Sequence, residues 1–357
     1  MDFKEKKISA LEAISKANWI AFAPVVFQAS RALSNLGILN AIGESKKEGL
    51  SLEEIKDQTN LSQYAVRVLC EAGLAIELLS LEEDKYTLTK TACFFLNDRM
   101  TQVNTEFIHD VCYKGLFDLE KALLEGKPEG LKVFGDFPTI YEGLSKLDEP
   151  VQKSWFDFDH FYSDTSYSEI LPKVFQNNPK KILDIGGNTG KFSFRCLDYN
   201  PNVELGIVDL KGQLDVAKNN ASDKGLSHRM NFYERDVLKA ETKFPEAYDI
   251  IWMSQFLDCF SEDQIVSILQ KCVEAMDDNS EVIIMELFWD RQKFEASRFS
   301  LIMGSLYFTS MANGNSQFYS YTVFKELLEK AGLYVEEVFD HIGISHTLLR
   351  CKKKNNG

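Results

Sequence analysis

The hydrophobic pattern at the start of the chain is helical. Between residues 25 and 42 apolar side chains recur three or four positions apart, and Gly37 marks a break in the repeat. Ser51 and Glu54 then have the spacing of a capping box, which is typical of the first turn of a helix. A second helical pattern over residues 62–78 follows directly, so two consecutive helices are predicted here.

An alternating pattern ends this first region. Residues 79–81 and 86–89 alternate between apolar and polar side chains on either side of an acidic turn at residues 82–84, which is the pattern of a small hairpin. Helix, helix and hairpin in this order predict a winged helix within a mainly helical domain over residues 1–100.

The second helix indicates how such a domain is used. A helix that reads DNA needs groups that contact phosphates or base edges. Over residues 62–79 the one cation is Arg67, set against Glu71 and Glu77, and most of the remaining positions are apolar. An exposed apolar helix is typical of a protein interface. We therefore predict that residues 1–100 hold a homodimer together and that the protein does not bind nucleic acid.

Two further regions follow. Residues 101–167 are helical in pattern and rich in aromatic side chains, and we expect them to form a linker whose last helices line the substrate. From residue 180 onward short β-branched runs alternate with helical segments, which predicts a parallel sheet covered by helices on both faces. Residues 168–357 are thus expected to form an α/β, Rossmann-like domain. Its predicted strands are residues 181–185, 203–208, 230–233, 248–252 and 282–285.

The composition and net charge of the chain limit the classes of partner that it can bind. With 357 residues the chain is long enough for two domains, and 45% hydrophobic and 26% charged residues are typical of folded globular proteins. The formal net charge of -14 opposes binding to nucleic acid and to anionic lipid. The one basic run, residues 352–354, is expected to be a frayed, solvated end.

The cysteines and the apolar segments indicate a compartment. Seven cysteines without a C-x-x-C pair favour a reducing environment over a disulfide framework or a zinc site. The most apolar early stretch, residues 19–27, is shorter than the roughly 20 residues of a membrane span and contains Pro24. A charged segment precedes it, unlike a signal peptide. We therefore expect a cytoplasmic protein with no metal and no membrane segment.

A glycine-rich turn carries the first chemical signal. Residues 182–190 read I-L-D-I-G-G-N-T-G, a buried strand that enters a turn and then a helix. Glycines let a backbone approach a ligand closely, and a helix N-terminus offers free N–H groups. A dinucleotide fingerprint would need glycine where Asn188 and Lys191 stand, which disfavours a dehydrogenase. The carboxylate of Asp184, just ahead of the turn, is placed to counter a cationic ligand.

Two more aspartates end the next strands. Asp209 is positioned to accept both hydroxyls of a ribose. Asp236 follows a further strand, where it can accept from an adenine amino group while Val237 and Leu238 pack on the ring. Strand-end aspartates also cap helices, so each one alone is a moderate signal. The ordered set predicts an adenosyl cofactor.

With these motifs, the sequence from residue 25 to residue 350 resembles the caffeate-type small-molecule O-methyltransferases, a family with an N-terminal winged-helix dimerisation domain and a class I methyltransferase domain. Its turn usually reads D-x-G-G-G-T-G, and Asn188 departs from it mildly because Asn tolerates left-handed geometry. The resemblance implies S-adenosylmethionine as cofactor, and it implies that residues 158–166 line cofactor and substrate. The predicted cofactor contacts are Asp184, Gly186, Gly187, Gly190, Asp209, Leu210, Asp236, Val237, Ser254 and Ser166.

The residue at the position of the family's general base differs more strongly from the family pattern. Members carry L-H-D-W-S-D-E, whose histidine deprotonates a phenol, whereas residues 257–263 read L-D-C-F-S-E-D and place Asp258 there. Aligning residues 313–320 with the family's N-P-G-G-K-E-R-T replaces a glutamate with Phe318 and keeps Asn313 as a substrate contact. Moving a proton from a phenol (pKa about 10) to an ordinary Asp (about 3.9) is uphill by about 8 kcal/mol.

Three roles for Asp258 stay open at this point. It can be the base, if burial among Phe256, Leu257 and Phe260 raises its pKa. It can orient the substrate as a hydrogen-bond acceptor, or it can cap the helix predicted to start near residue 262. His160 is the second choice for proton transfer, although a lone histidine among aromatic residues is more often simply packed.

The sequence therefore predicts methyl transfer from S-adenosylmethionine to a small, aromatic or phenolic acceptor, with O-methylation favoured. Because the usual histidine is missing, C- or N-methylation is the alternative. A non-catalytic relative of the fold and a DNA-binding regulator are the two other classes. The predicted acceptor contacts are Phe158, Tyr162, Met303, Tyr307 and Asn313.

Overall fold

A computed structural model describes residues 7–46, 48–163 and 166–354. The chain divides into two compact units, Met1–Glu106 and Phe107–Gly357. Most of the predicted linker, from Phe107 onward, thus belongs to the second unit. The division at residues 100 and 167 stays a prediction.

The first unit is helical with one hairpin, in the order that the sequence predicts. Its elements are α1 (Ala10–Asn35), α2 (Ile38–Glu44), α3 (Leu52–Thr59), α4 (Gln63–Ala75), β1 (Leu79–Glu82), β2 (Lys85–Leu88), α5 (Lys90–Asn97) and α6 (Arg99–Phe107). The capping box is confirmed, because the Ser51 side chain accepts from the Glu54 backbone N–H at 3.3 Å and the Ser51 N–H donates to the Glu54 carboxylate at 2.7 Å. Gly37, at φ 80°, separates α1 from α2 as predicted.

Helix α1 is longer than the pattern predicted. It runs through Pro24 for 26 residues, and by length and composition it is apolar enough to cross a membrane. The helix containing the apolar stretch 19–27 is therefore longer than that stretch suggested, because it begins at Ala10, fifteen residues before residue 25, and a proline does not end it. Most of its large apolar side chains are exposed, including Leu11, Trp19 and Ile20.

The second unit is an α/β layer structure. Its helices are α7 (Leu119–Glu125), α8 (Ile140–Gly143), α9 (Glu149–Ser163), α10 (Tyr167–Val174), α11 (Lys191–Tyr199), α12 (Lys211–Asp223), α13 (Glu262–Ala275), α14 (Glu295–Tyr307) and α15 (Tyr321–Ala331). Its strands are β3 (Lys181–Ile185), β4 (Glu204–Asp209), β5 (Met230–Glu234), β6 (Ile250–Ser254), β7 (Glu281–Glu286), β8 (Leu333–Ile342) and β9 (His346–Lys353). The helical, aromatic character predicted for residues 101–167 is confirmed.

These strands form one sheet in the order β5-β4-β3-β6-β7-β9-β8. The first five strands are parallel, as predicted, but β9 runs antiparallel to β7 and β8 runs antiparallel to β9. The sheet is therefore a mixed one, with two antiparallel strands added beside the five predicted parallel strands. Lys352 and Lys353 belong to β9, next to the buried Cys351, so this basic run is not a frayed end.

The sheet has a packed apolar layer on each face, which explains why its central strands are almost continuously hydrophobic. The chain moves from β3 outward to β4 and β5, then returns past β3 to β6 on the other side. At such a reversal of strand order the connections leave in opposite directions and open a crevice at the carboxyl ends. The predicted strand-end aspartates and the glycine turn lie at this edge.

Candidate active site

A cavity of about 570 Å³ opens at the carboxyl edge of the sheet in the second unit. One end, called the cofactor end, is formed by residues that follow β3, β4 and β5. The other side, called the acceptor wall, is formed by cavity residues of α8, α9, α14 and the turn Leu257–Cys259. The two parts are described in turn.

The glycine turn adopts a conformation that side chains would obstruct. Gly186 has φ +73°, and a Cβ there would collide with the ring of Phe256. A Cβ on Gly187 would lie 2.8 Å from the carboxylate of Asp184. Gly190, at φ +85°, begins α11, and Asn188 takes the left-handed φ of +49° that the sequence anticipates for it. The backbone thus approaches the cavity closely at Gly186 and Asn188, which line it.

Asp184 lies under this turn and not on the cavity surface. It is 3% exposed, and its carboxylate accepts from the Ser193 hydroxyl at 2.7 Å. Burial raises the pKa of Asp184 to about 7, the Ser193 hydrogen bond opposes this, and the charge of Asp209 adds to it. The prediction that Asp184 meets a cationic ligand directly is corrected, because its carboxylate is buried and Asp184 is not among the described cavity residues. It supports the turn from below instead.

Asp209 is the carboxylate that faces the cavity at the end of β4. One oxygen accepts from the Asn188 backbone N–H at 2.8 Å, and the other from the Leu210 N–H at 2.7 Å. Burial raises its pKa, and these two backbone hydrogen bonds act in the opposite direction. A carboxylate oxygen has two lone pairs, so each retains one for a ligand hydroxyl. Leu210 lines the cavity beside it.

The residues that follow β5 supply the next polar group of the cofactor end. Asp236 lines the cavity, and its carboxylate accepts from the Leu238 backbone N–H at 3.0 Å. Val237 is buried and, with Leu238, adds apolar surface at the same place. Sequence reasoning missed Arg235, which also lines the cavity and whose guanidinium donates to the Glu234 carbonyl at 2.9 Å.

Besides Asp184, four predicted cofactor residues are not among the described cavity residues. Gly187 and Gly190 shape the turn, and Ser166 is buried before α10, next to residues 164 and 165, which lie outside the described residues. Ser254 ends β6, and its neighbour Gln255 reaches the cavity in its place.

Gln255 has a left-handed φ of +46°, and its side-chain carbonyl accepts from His346 Nε2 at 2.7 Å. Burial lowers the pKa of His346 to about 4, so the ring is neutral at physiological pH. Sequence reasoning missed Gln255, because its hydrogen-bond partner His346 lies 91 residues further along the chain.

Asp258 is presented by the short 3₁₀ turn Leu257–Cys259 and lines the cavity while only 8% exposed. Burial raises its pKa to about 7, the Cys259 thiol opposes this, and the nearby charge of Asp159 adds to it. The helix-cap role is wrong, because Ser261 and Gln264 form the capping box of α13.

Glu286, at the end of β7, holds this turn and was missed by sequence reasoning. Its carboxylate accepts from the backbone N–H groups of Phe256 at 3.0 Å and Leu257 at 2.9 Å. Burial and the charge of Asp258 raise its pKa well above the usual range. Its place at a strand end, like that of Asp184 and Asp209, is the signal that marks it in the sequence.

Aromatic side chains build the acceptor wall. Phe158 stacks on Phe107 with ring centroids 4.0 Å apart and lies 5.0 Å from Tyr162. Tyr307 packs edge-on against Phe107 at 4.9 Å, and its hydroxyl accepts from the Trp155 indole N–H at 2.8 Å. The predicted residues Phe158, Tyr162 and Tyr307 are therefore brought together at one wall.

Of the remaining predicted contacts, Asn313 reaches the cavity and two others do not. The Asn313 amide donates to the Cys259 carbonyl at 2.6 Å, which links the segment after α14 to the Asp258 turn. Met303 is 47% exposed on the outer side of α14. The His160 ring faces Phe156, and its Nδ1 lies 2.8 Å from Lys191 Nζ. Neither Met303 nor His160 is among the described cavity residues, which corrects both predictions.

A mixed sheet whose parallel strands carry a glycine turn and strand-end carboxylates, beside an apolar aromatic wall, is typical of nucleoside-dependent transferases. Comparison of the sequence with known protein families identifies the family to which the chain belongs. The family described as "O-methyltransferase domain" matches residues 117–334, and the "Dimerisation2-like domain" matches residues 15–86. The chain belongs to this O-methyltransferase family and is an S-adenosylmethionine-dependent methyltransferase.

The individual relatives have low sequence identity to this chain, but each matches it over most of its length. The chain is 23% identical to the L-tyrosine C(3)-methyltransferase of Streptomyces lavendulae over 91% of this chain and 87% of the relative. It is 22% identical to the bacteriochlorophyllide d C-20 methyltransferase of Chlorobaculum tepidum, over 92% and 95%. The solved apo structure of the S-adenosylmethionine-dependent methyltransferase SibL matches at TM-score 0.71 and 18% identity, over 96% and 100%. At that identity the structural match shows the fold.

Proposed function

We propose that the protein methylates a small aromatic acceptor and that Asp258 takes the acceptor's proton. One observation carries this proposal: a single cavity is lined by the strand-end carboxylates, by the aromatic wall and by Asp258. The acceptor ring packs against the Phe107–Phe158 stack, and Asn313, whose amide donates to the Cys259 carbonyl and the Ser316 hydroxyl, lines the same cavity.

The cofactor end fits S-adenosylmethionine by its chemistry. Asp209 retains acceptor capacity for ribose hydroxyls, Asp236 and Val237 suit an adenine ring, and the glycine turn leaves no side chain in the way at Gly186. When bound, this cofactor supplies the activated methyl group. The protein then has to orient the acceptor, exclude water and receive a proton.

Burial makes Asp258 a better base than an ordinary aspartate. With its pKa at about 7, the gap to a phenol of about 10 is about 3 pKa units, or about 4 kcal/mol, instead of about 8 kcal/mol. The same residue can accept a proton from a ring carbon or an amine. C- or N-methylation therefore stays the second candidate, supported by Asp258 in place of the family's histidine.

The first test is cofactor binding by calorimetry on protein stripped of cofactor. We expect micromolar or tighter binding of S-adenosylmethionine and its demethylated product, and about a 100-fold loss in Asp209→Ala, because charge-assisted hydrogen bonds contribute about 1.5–3 kcal/mol each. Asp215→Ala is the matched control, since Asp215 pairs with Lys211 on the exposed face of α12. Wild-type protein that binds neither compound would rule out the proposed function.

We also propose that the protein is a homodimer of winged-helix type that acts in the cytoplasm and binds no DNA. The support for this proposal is the Dimerisation2-like match, the order α3, α4, β1, β2, and the exposed apolar side chains of α1, which a partner copy would cover. Light scattering should give twice the mass of the chain, and the double variant Trp19→Glu, Ile20→Glu should reduce it to one chain. Association of wild-type protein with vesicles instead would favour a membrane role for α1.

A further inference from the structure

The charge of the acceptor wall limits which acceptors bind, given the methyl transfer proposed above, on which this step rests. The wall carries three carboxylates, Glu142, Asp159 and Asp258. Among the cavity residues that the structure describes, the cation is Arg235, and it belongs to the cofactor end, where its guanidinium donates to the Glu234 carbonyl at 2.9 Å. The acceptor wall therefore has a net negative charge.

Within the described part of the chain, few hydrogen-bond donors reach the carboxylate of Asp258. It is 8% exposed, and across residues 7–46, 48–163 and 166–354 its side chain receives one hydrogen bond from another residue, from the Cys259 thiol at 3.5 Å. A thiol is a weak donor. The thiol is itself bonded by the Tyr141 hydroxyl at 3.1 Å. A buried carboxylate with such a partner gains strongly from a cationic or donating ligand.

Asp159 is the second carboxylate of this pair. It follows Phe158 on α9, lines the same cavity, and lies close enough to Asp258 for their charges to interact. The two acids come from elements about a hundred residues apart in sequence, and they line the same cavity as the stacked rings of Phe107 and Phe158. A positive charge placed between them would interact with both, whereas a carboxylate or phosphate would be repelled by both.

We infer that the acceptor is an aromatic molecule with a protonated amine, that Asp159 holds its ammonium group while the ring packs on Phe158, and that the charge of Asp258 in the same cavity adds to the attraction. Anionic aromatic acids are selected against by the same two carboxylates. The atom that receives the methyl group is left open by this assignment of substrate class.

Three probes of nearly equal size test this class: tyramine (cationic), 4-ethylphenol (neutral) and 3-(4-hydroxyphenyl)propanoate (anionic). Each is titrated at pH 8 into full-length protein saturated with S-adenosylhomocysteine, with calorimetry as readout. An alkylamine is charged at this pH. We expect tyramine to bind at least about tenfold more tightly than 4-ethylphenol, and the propanoate to bind most weakly.

Two variants locate the effect. In Asp159→Asn the affinity for tyramine should be within about threefold of the affinity for 4-ethylphenol. The affinity for S-adenosylhomocysteine should stay at the wild-type value, which shows that the variant is folded. Asp157→Asn is the matched control, because Asp157 pairs with Lys153 and is not among the described cavity residues. This control should keep the full preference for the cation.

The outcomes separate this inference from the proposed function. Equal affinities for the three probes, tighter binding of the anion, no saturable tyramine binding, or a preference that survives in Asp159→Asn would each overturn the cationic acceptor. Each of these can occur while the protein still binds S-adenosylhomocysteine, which leaves the methyltransferase function standing. Loss of cofactor binding in wild-type protein would instead remove both.

Discussion

The cofactor end and the acceptor wall of the cavity are built in different ways. The cofactor end consists of residues that directly follow three neighbouring strands, and backbone groups fix their positions, as with Asn188 and Leu210 on Asp209. The acceptor wall consists of side chains from α8, α9, α14 and a turn after β6, and side-chain contacts such as the Trp155–Tyr307 hydrogen bond fix it.

This difference indicates how one family accommodates many acceptors. A site held by backbone hydrogen bonds at strand ends tolerates few changes, because the glycine turn has no room for a side chain. A wall of packed aromatic rings can be remodelled one side chain at a time without altering the sheet. We expect substitutions at the cofactor end to change cofactor affinity or stability, and substitutions at the wall to change rate and selectivity.

The largest effect is expected at the acceptor wall, for Asp258→Asn. Loss of a general base should lower kcat by about 100- to 10,000-fold with unchanged cofactor affinity. In wild-type protein the rate should fall about tenfold per pH unit below about pH 7, because the base must be ionised and its pKa is raised to about 7. The variant should lack this dependence, as measured by transfer of labelled methyl groups.

Retained activity in Asp258→Asn would leave this residue as an acceptor that orients the substrate. A parallel loss of cofactor affinity would break the distinction between the two parts of the cavity.

A smaller effect is expected at the cofactor end, for Gly186→Ala. The left-handed φ of +73° and the collision with Phe256 should cost about 2–4 kcal/mol of unfolding free energy and weaken cofactor binding. Denaturant unfolding measures the first effect and calorimetry the second.

The matched control is Gly212→Ala on α12, where no heavy atom lies within 4 Å of the new Cβ. It should be neutral or stabilising by less than about 1 kcal/mol. Equal behaviour of the two variants would contradict the tight backbone approach at Gly186.

The smallest effect is expected for His160→Ala. Because the ring faces Phe156 and Lys191 and is not among the described cavity residues, the rate of methyl transfer should change by less than about threefold. A loss of 100-fold or more would place His160 in proton transfer and extend the acceptor wall along α9.

The sequence predicted the two parts of the cavity to different degrees. The order of helices and parallel strands, the glycine turn and the place of Asp209 and Asp236 follow from local patterns, and the structure agrees with them. The antiparallel strands β8 and β9 were not predicted, because nothing in their own residues specifies pairing with β7. Glu286 and Gln255 were missed, since their partners lie 29 or more residues away.

By itself, then, the sequence determined the family, most of the elements and the place of Asp209 and Asp236 at strand ends, since these depend on spacing within one strand and its following turn. Only the tertiary structure decided that Asp184 supports the turn, that Met303 and His160 are not among the described cavity residues, and that Asp159 and Asp258 line the same cavity. Burial and the charge between two carboxylates depend on which distant segments pack together, and that packing sets the pKa of Asp258.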